Sequence, residues 1–330
     1  MDVGGPLCFR LQPVTTLVRS RLNRVLHVAI QEVTIYLLFP FIASLLFAFA
    51  ALFLNRASHS GTSIWSSIFL ANGFASLFFS GFWFMGGPTP SWINLWQPMV
   101  VAIFYIAGQC AILAAVSLGD VSVATPIASA KVIIVSFLLV LFGSELPTLT
   151  TWLAAILATG GVVLINYVVP SNDRKKVFTT VVLALGGAFL FACFDICIQT
   201  WSPSWGTGRF VPISYWFVGL FSLTLVPWVD SPKRLLQGDL ALKSLLVGSI
   251  LVAVQAMFLV YAISQYGDAA RVNVVYSLRG LWGVLFAWML AGWFGGGEKN
   301  TASKIMLARM GGALLLVLAV VLTVMETQSL

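Results

Sequence analysis

The chain has 330 residues, of which 59% are hydrophobic and only 9% charged, against about 25% charged residues in soluble domains. Its mean hydropathy of +0.97 reflects apolar blocks of about 20 residues, the length needed to cross a hydrocarbon core. The blocks are apolar on every side, which predicts helices rather than alternating barrel strands. The net charge of +7 does not indicate nucleic-acid binding, because no soluble domain is left, so lipid headgroups are the expected anionic partner.

Residues 1–32 form a basic tail that carries four arginines: Arg10, Arg19, Arg21 and Arg24. Apolar residues recur opposite these arginines at helical spacing, so the tail is predicted to lie flat on the headgroups as an amphipathic segment. A loosely ordered basic tail is the alternative. The tail has no uninterrupted apolar region or small-residue cleavage site, which argues against a cleaved signal peptide.

Ten transmembrane spans are predicted after the tail, so the expected fold is an all-α integral membrane protein. Short connections with Gly, Pro, Ser and Asn separate the spans, and tryptophans lie at or near many span ends, as an interfacial belt requires. No extramembrane domain remains, and any function must therefore lie within the helix bundle. The spans are residues 33–54, 62–85, 98–117, 121–142, 151–169, 177–200, 210–229, 244–265, 270–293 and 306–325.

The second half of the chain repeats the first, with Gly119-Asp120 aligned on Gly267-Asp268. The halves are residues 33–169 and 177–325. Because each contains an odd number of spans, the second half enters the membrane in the opposite sense, which predicts two inverted five-helix repeats. The other paired positions are Ser129 with Ser277, Lys131 with Arg279, Gln109 with Gln255, Glu145 with Glu298, Gly73 with Gly219, Gly160-Gly161 with Gly311-Gly312, and Leu46-Phe47-Ala48 with Leu190-Phe191-Ala192.

Three short motifs resemble those of a known family. Ala124-Thr125-Pro126-Ile127 follows the Gly-Asp turn, Gly143-Ser144-Glu145-Leu146 comes next, and Gly160-Gly161 closes the half, with the same order from Gly267 to Leu316. In these features the sequence resembles the drug/metabolite transporter (DMT) superfamily, specifically its ten-helix EamA-like members. The resemblance implies a carrier with a central cavity lined by inner helices of both halves, but it implies no particular substrate.

Lys131 and Arg279 lie near the middle of the fourth and ninth spans. A charge at mid-bilayer costs about 2.5–3.5 kcal/mol on insertion scales, so such a group usually faces a wet cavity or a partner. We expect these two cations to approach a common centre and to bind the anionic part of a substrate, with Arg279 able to do so in bidentate fashion. The alternatives are that Asp195 neutralises one or both, or that Lys131 snorkels outwards.

Asp195, in the sixth span, aligns with Ala51 and breaks the symmetry of the repeat. It is a candidate for proton or ion coupling, and a buried salt bridge to Arg279 or Arg271 is the alternative. Asp120, Glu145, Asp268 and Glu298 lie at span ends and are interpreted as turn and capping groups.

Further cavity-lining candidates are polar residues on the inner spans. Asn273, Tyr276 and Arg279 recur at i, i+3 spacing and should share a helix face, and Pro126 is expected to kink the fourth span and free a carbonyl. For the two glutamines, hydrogen bonds that hold helices together are the alternative to a cavity role. The full set of candidates is Gln109, Gln255, Ser129, Asn273, Tyr276 and Ser277, with Thr125 matching Asn273.

The sequence contains no catalytic, metal-binding or phosphate-cradling motif, so neither an enzyme nor a cofactor is predicted. His27 and His59 are the only histidines, and Cys193 and Cys197 are interpreted as packing residues. We expect a secondary transporter of a small anionic or zwitterionic metabolite that works by alternating access, multi-pass in a bacterial inner (plasma) membrane. A lipid or lipid-linked sugar flippase and a non-transporting scaffold are the alternatives, and a homodimer is left open.

The orientation of the chain is ambiguous. The resemblance and the basic tail imply that both termini are cytoplasmic, whereas the loops then placed outside carry more lysines and arginines, which favours the opposite orientation. We retain the expectation that both termini are cytoplasmic.

Overall fold

The computed structural model describes residues 35–89, 92–118, 121–142, 146–166, 173–231, 239–289 and 303–329, and within these ranges all regular structure is helical. The predicted tail at residues 1–32 lies outside them, as do Asp120, Glu145 and Glu298. The helices of the first half are α1 Leu38–His59, α2 Ile64–Ser80, α3 Trp96–Leu118, α4 Val121–Ala128, α5 Lys131–Phe142 and α6 Leu149–Ile165. Those of the second half are α7 Arg174–Trp205, α8 Thr207–Ser222, α9 Asp239–Tyr266, α10 Ala269–Tyr276, α11 Arg279–Met289 and α12 Ser303–Ser329.

Among the described residues, seven helical segments are long and apolar enough to cross a membrane, and α6 and the stretch Pro126–Phe142 are shorter apolar helices. Short 3₁₀ turns extend α2 and α8, at Gly81–Met85 and Leu223–Trp228. Large apolar side chains such as Phe137 and Leu185 are exposed on the outside of the bundle, where lipid tails would cover them. The chain is therefore an integral multi-pass membrane protein. The seven segments are Leu38–His59, Ile64–Met85, Trp92–Ser117, Arg174–Trp205, Thr207–Trp228, Ala241–Tyr266 and Ala308–Glu326.

The fourth and ninth predicted spans are each divided into two helical segments. α4 ends at Ala128 and α5 begins at Lys131, while α10 ends at Tyr276 and α11 begins at Arg279. The two breaks lie at positions that the predicted repeat aligns, since Lys131 and Arg279 each begin the second segment. Hydrogen bonds between residues three apart close both breaks, and such a 3₁₀ stretch within a helix often marks a hinge.

A serine hydroxyl seals each break from within the chain. Ser129 Oγ donates to the Pro126 carbonyl at 2.5 Å, and Ser277 Oγ donates to the Val274 carbonyl at 2.6 Å. The carbonyl that Pro126 leaves without an N–H partner belongs to the residue four positions earlier, so the bond to the Pro126 oxygen does not bear on that prediction. The helix also continues past Pro126 to Ala128, so the interruption follows the proline instead of coinciding with it.

Each half is completed by helices of the other half. α3 packs against α7 and α8, and its counterpart α9 packs against α1 and α2; likewise α5 packs on α7, and α11 on α1. α6 and α12 pack against each other through the paired glycines. A Cβ on Gly161 would lie 2.8 Å from the Gly312 carbonyl oxygen, and one on Gly312 would lie 2.5 Å from that of Gly161. Only glycine allows the two backbones to approach this closely.

Candidate functional site

Lys131 and Asp195 form an ion pair in the middle of the bundle. Lys131 Nζ at the start of α5 lies 2.7 Å from Asp195 Oδ2 on α7, with the lysine side chain 11% exposed and the aspartate side chain 0% exposed. The alternative that Asp195 neutralises a central cation therefore holds for Lys131, and the alternatives of outward snorkelling and of a salt bridge from Asp195 to Arg279 or Arg271 are wrong. Breaking such a buried pair on one side is strongly destabilising, because it leaves an uncompensated charge.

Asn273 ties the ninth predicted span to this pair. Its Nδ2 donates to Asp195 Oδ2 at 2.6 Å and also to the Ala269 carbonyl at 2.8 Å. The other carboxylate oxygen, Asp195 Oδ1, is buried and has no hydrogen-bond partner in the part of the chain that the structure describes. A buried oxygen without a partner is costly, so Oδ1 is an unsatisfied acceptor next to the ion pair.

Arg279 begins α11 and, unlike Lys131, forms no ion pair with any described residue. Its guanidinium carbon lies 4.5 Å from the Tyr276 ring centroid and 5.2 Å from that of Phe47. These cation–π contacts hold the guanidinium in place. The predicted common helix face of Asn273, Tyr276 and Arg279 is interrupted by the break before Arg279, yet the three side chains remain neighbours because Arg279 folds back over Tyr276.

The two central cations have matched aromatic neighbours. Arg279 lies over Phe47, and Lys131 Nζ lies 5.8 Å from the Phe191 ring centroid. Phe47 and Phe191 occupy equivalent places in the Leu-Phe-Ala motif of each repeat. Neither phenylalanine was among the predicted site residues; the match of the Leu-Phe-Ala motifs, taken together with the match of the two mid-span cations, is the sequence signal that could have identified them.

The two predicted glutamines have different surroundings. Gln255 on α9 accepts a hydrogen bond from the Tyr276 hydroxyl at 2.9 Å, which places it beside Arg279. Gln109 on α3 exchanges two amide hydrogen bonds with Asn72, at 2.9 and 3.0 Å, and Asn72 also donates to Ser222. Gln109 thus joins α3 to α2, as the helix-holding alternative proposed, while Gln255 lines the central cluster.

The remaining candidates are two serines and a threonine. The Ser129 and Ser277 hydroxyls donate to backbone carbonyls at the helix breaks. The Thr125 side chain lies outside the described residues. Tyr215, which was not among the predicted candidates, is fully buried; its ring is stacked on Phe79 at a centroid distance of 3.8 Å, and its hydroxyl lies beside that of Tyr105. That hydroxyl interacts electrostatically with Asp195 and Tyr276. A lone tyrosine in an aromatic-rich span gives no signal in the sequence that it lies next to Asp195.

A second polar network closes one end of the bundle. Arg271 at the start of α10 forms ion pairs with Asp268 at 2.9 Å and with Glu326 at 3.3 Å. The Tyr36 hydroxyl donates to Asp268 at 2.5 Å, and Thr148 donates to Glu326. Asp268 also caps α10 by accepting from the Arg271 backbone N–H, as predicted. The network joins the ends of α1, α6, α10 and α12.

Comparison with known proteins agrees with this architecture. Residues 34–167 match the model of the EamA-like transporter family. A solved structure titled "Crystal structure of protein" is similar with a TM-score of 0.60 and 14% identity, over 89% of this chain and 98% of that chain. At this identity the likeness shows the fold alone. No curated protein matches the sequence significantly.

Proposed function

We propose that this chain, which belongs to the drug/metabolite transporter superfamily, is a secondary transporter that moves a small anionic or zwitterionic metabolite by alternating access. Membership supports a transporter with a small-molecule substrate in a lipid membrane. The proposal adds three points to this: an anionic or zwitterionic substrate, alternating access as the transport cycle, and a bacterial inner membrane as the location. The roles assigned below to individual residues are part of the same proposal.

Arg279 is the observation that carries the proposal. It is a guanidinium at the centre of an apolar bundle with no carboxylate partner among the described residues, although the neighbouring Lys131 has one. Leaving such a charge uncompensated at mid-membrane costs about 2.5–3.5 kcal/mol. An anionic ligand recovers that energy, and its planar carboxylate or tetrahedral phosphate accepts two parallel N–H groups from arginine.

The surroundings of Arg279 give the ligand additional contacts. The Tyr276 ring and the Gln255 amide fix one side of the site, and Lys131 supplies a second cation from the other half of the chain. The free oxygen of Asp195 can hold an ammonium group, which is why a zwitterion fits as well as an anion. In this proposal Asn273 positions Asp195, whereas Ser129, Ser277 and Gln109 shape the helices that carry the site.

Alternating access follows from two five-helix repeats of opposite orientation around this site. The proposal is supported by the equivalent helix breaks before Lys131 and Arg279 and by the reciprocal packing of the halves. In many secondary transporters, discontinuous helices of inverted repeats carry the substrate site near the bilayer midplane. The Arg271 network then closes one entrance, and its opening, together with closure of the opposite end, exposes the site to the other side.

Uptake by purified protein in liposomes tests the proposal. The panel contains small carboxylates, phosphate esters and sulfonates, with a neutral sugar and an organic amine as comparisons. We expect saturable uptake of one anionic or zwitterionic class, and about a 10- to 100-fold loss of apparent affinity in Arg279→Gln, since a charged hydrogen-bonding group contributes about 1.5–3 kcal/mol. Arg279→Lys should retain part of the affinity.

Arg56→Gln is the matched control, because Arg56 lies in the last turn of α1, away from the central cluster. A folded Arg279→Gln variant that transports the same anion at the wild-type rate contradicts the proposal. Lipid movement between leaflets without solute uptake would favour the flippase alternative, and saturable transport of nothing by a folded protein would favour the scaffold.

A further inference from the structure

We propose that a doubly charged anion binds at the central site together with one proton, which is taken up by Asp195 when Lys131 leaves it for the ligand. This inference rests on the proposed anion site. It adds the coupling ion and the direction of coupling: anion and proton move the same way across the membrane.

The net charge of the central cluster determines which anions it can neutralise. Lys131 and Arg279 contribute two positive charges and Asp195 one negative charge, so a single positive charge is in excess. A monoanion on Arg279 neutralises the cluster without any further change. A dianion requires both cations, and once Lys131 is shared with the ligand the carboxylate of Asp195 faces a negative group. Burial of unbalanced charge is strongly unfavourable, so Asp195 takes up a proton.

The surroundings of Asp195 have room for that proton. Asp195 Oδ2 already accepts from Lys131 and Asn273, whereas Oδ1 is fully buried and unpartnered. A proton on Oδ1 comes from solvent on the side to which the site is open, and no other bond is made or broken. Released from Asp195, Lys131 Nζ turns towards a dianion bound on Arg279, whose charge overcomes the repulsion between the two cations.

The same geometry disfavours a metal cation as the coupling ion. Na⁺ needs several oxygen ligands, but Oδ2 is occupied by an ammonium and an amide N–H donor, and only Oδ1 is open. The titratable and charged groups that face Asp195 are Lys131 from α5, Tyr215 from α8 and Tyr276 from α10. Behind them, Tyr105 from α3 lies against Tyr215, and Arg279 from α11 lies over Tyr276. None of these is a second carboxylate.

Sulfate and methanesulfonate are suitable probes, because they remain a dianion and a monoanion throughout the pH range in which proteins stay folded. Any pH dependence of their binding therefore comes from the protein. Isothermal titration calorimetry of the purified full chain in two buffers of different ionisation enthalpy gives both affinity and proton uptake. We expect sulfate affinity to rise by up to about tenfold for each unit of pH decrease, with up to one proton taken up per sulfate.

Methanesulfonate should bind the wild-type protein with the same affinity across this range and without proton uptake. Asp195→Asn should bind sulfate without pH dependence or proton uptake. If this variant unfolds, the double variant Lys131→Gln/Asp195→Asn serves instead: the anion binding that it retains should show neither pH dependence nor proton uptake. Asp173→Asn on the same helix is the matched control, since Asp173 caps α7 at an exposed end and asparagine also caps well.

Two other results separate this inference from the proposed function. Sulfate binding that depends on Arg279 but shows no pH dependence and no proton uptake overturns the coupled proton and leaves the anion site standing. Absence of sulfate binding, or binding that Arg279→Gln does not weaken, overturns both.

Discussion

Replacing Lys131 by methionine removes the partner of Asp195 while keeping an unbranched apolar side chain of similar length. The aspartate side chain is 0% exposed and the pair is 2.7 Å long, so solvent cannot screen the charge that remains. Removal of one member of a buried pair costs about 3–5 kcal/mol. The hydrogen bond from Asn273 to Oδ2 at 2.6 Å offsets part of this, and we expect a loss of about 3 kcal/mol for Lys131→Met.

The double variant Lys131→Met/Asp195→Asn should recover most of that stability, because replacing both members of a buried pair by neutral groups is often close to neutral. The free energy of unfolding in detergent micelles, measured by titration with SDS, gives the coupling energy from the four proteins of the cycle. We expect a coupling of about 2 kcal/mol or more. Single variants that each cost less than about 0.5 kcal/mol and add up in the double variant would refute the buried pair.

Three further experiments test other parts of the fold and site. Gly161→Ala should destabilise the protein by about 1–3 kcal/mol because its Cβ would meet the opposing glycine backbone. Gly160→Ala is the control and should not destabilise the protein, because its Cβ would be 3.9 Å from the nearest atom. Equal shifts of the thermal unfolding temperature in the two variants would contradict this packing. Arg271→Gln leaves two acidic groups without their cation and should open that end, so labelling of a cysteine placed there should accelerate; an unchanged rate excludes a gate. Gln255→Leu should weaken ligand affinity about tenfold, whereas Gln109→Leu should lower stability with affinity unchanged, and the reverse pattern would exchange their roles.

The positions of the helices followed closely from the sequence. Each described helix overlaps a predicted span, because a block of about 20 apolar residues has few alternatives to a membrane crossing. The importance of Lys131 and Arg279 was predictable for a related reason: a charge at mid-membrane is too costly to be incidental. The Gly160-Gly161 match pointed to an equivalence that the structure expresses as a direct contact between α6 and α12.

The ion-pair partners of the buried charges and the positions of the helix breaks could not be predicted in the same way. The sequence left Asp195 able to pair with Lys131, Arg279 or Arg271, and the choice depends on helix rotation and spacing, which a single sequence does not specify. The equivalent glutamines diverged because their neighbours do: Asn72 beside Gln109 has no counterpart beside Gln255. The helix breaks occur one turn after Pro126 in the first half and without any proline in the second, so proline was a poor guide to them.

The most direct test of the central anion site is to locate a bound anion. Selenate has the shape and charge of sulfate, and its selenium is visible by anomalous diffraction from crystals of the full chain. The account predicts a single strong peak beside the Arg279 guanidinium, between the starts of α5 and α11, that disappears in Arg279→Gln. Peaks confined to the ends of the bundle, with none near Arg279 at saturating selenate, would contradict it.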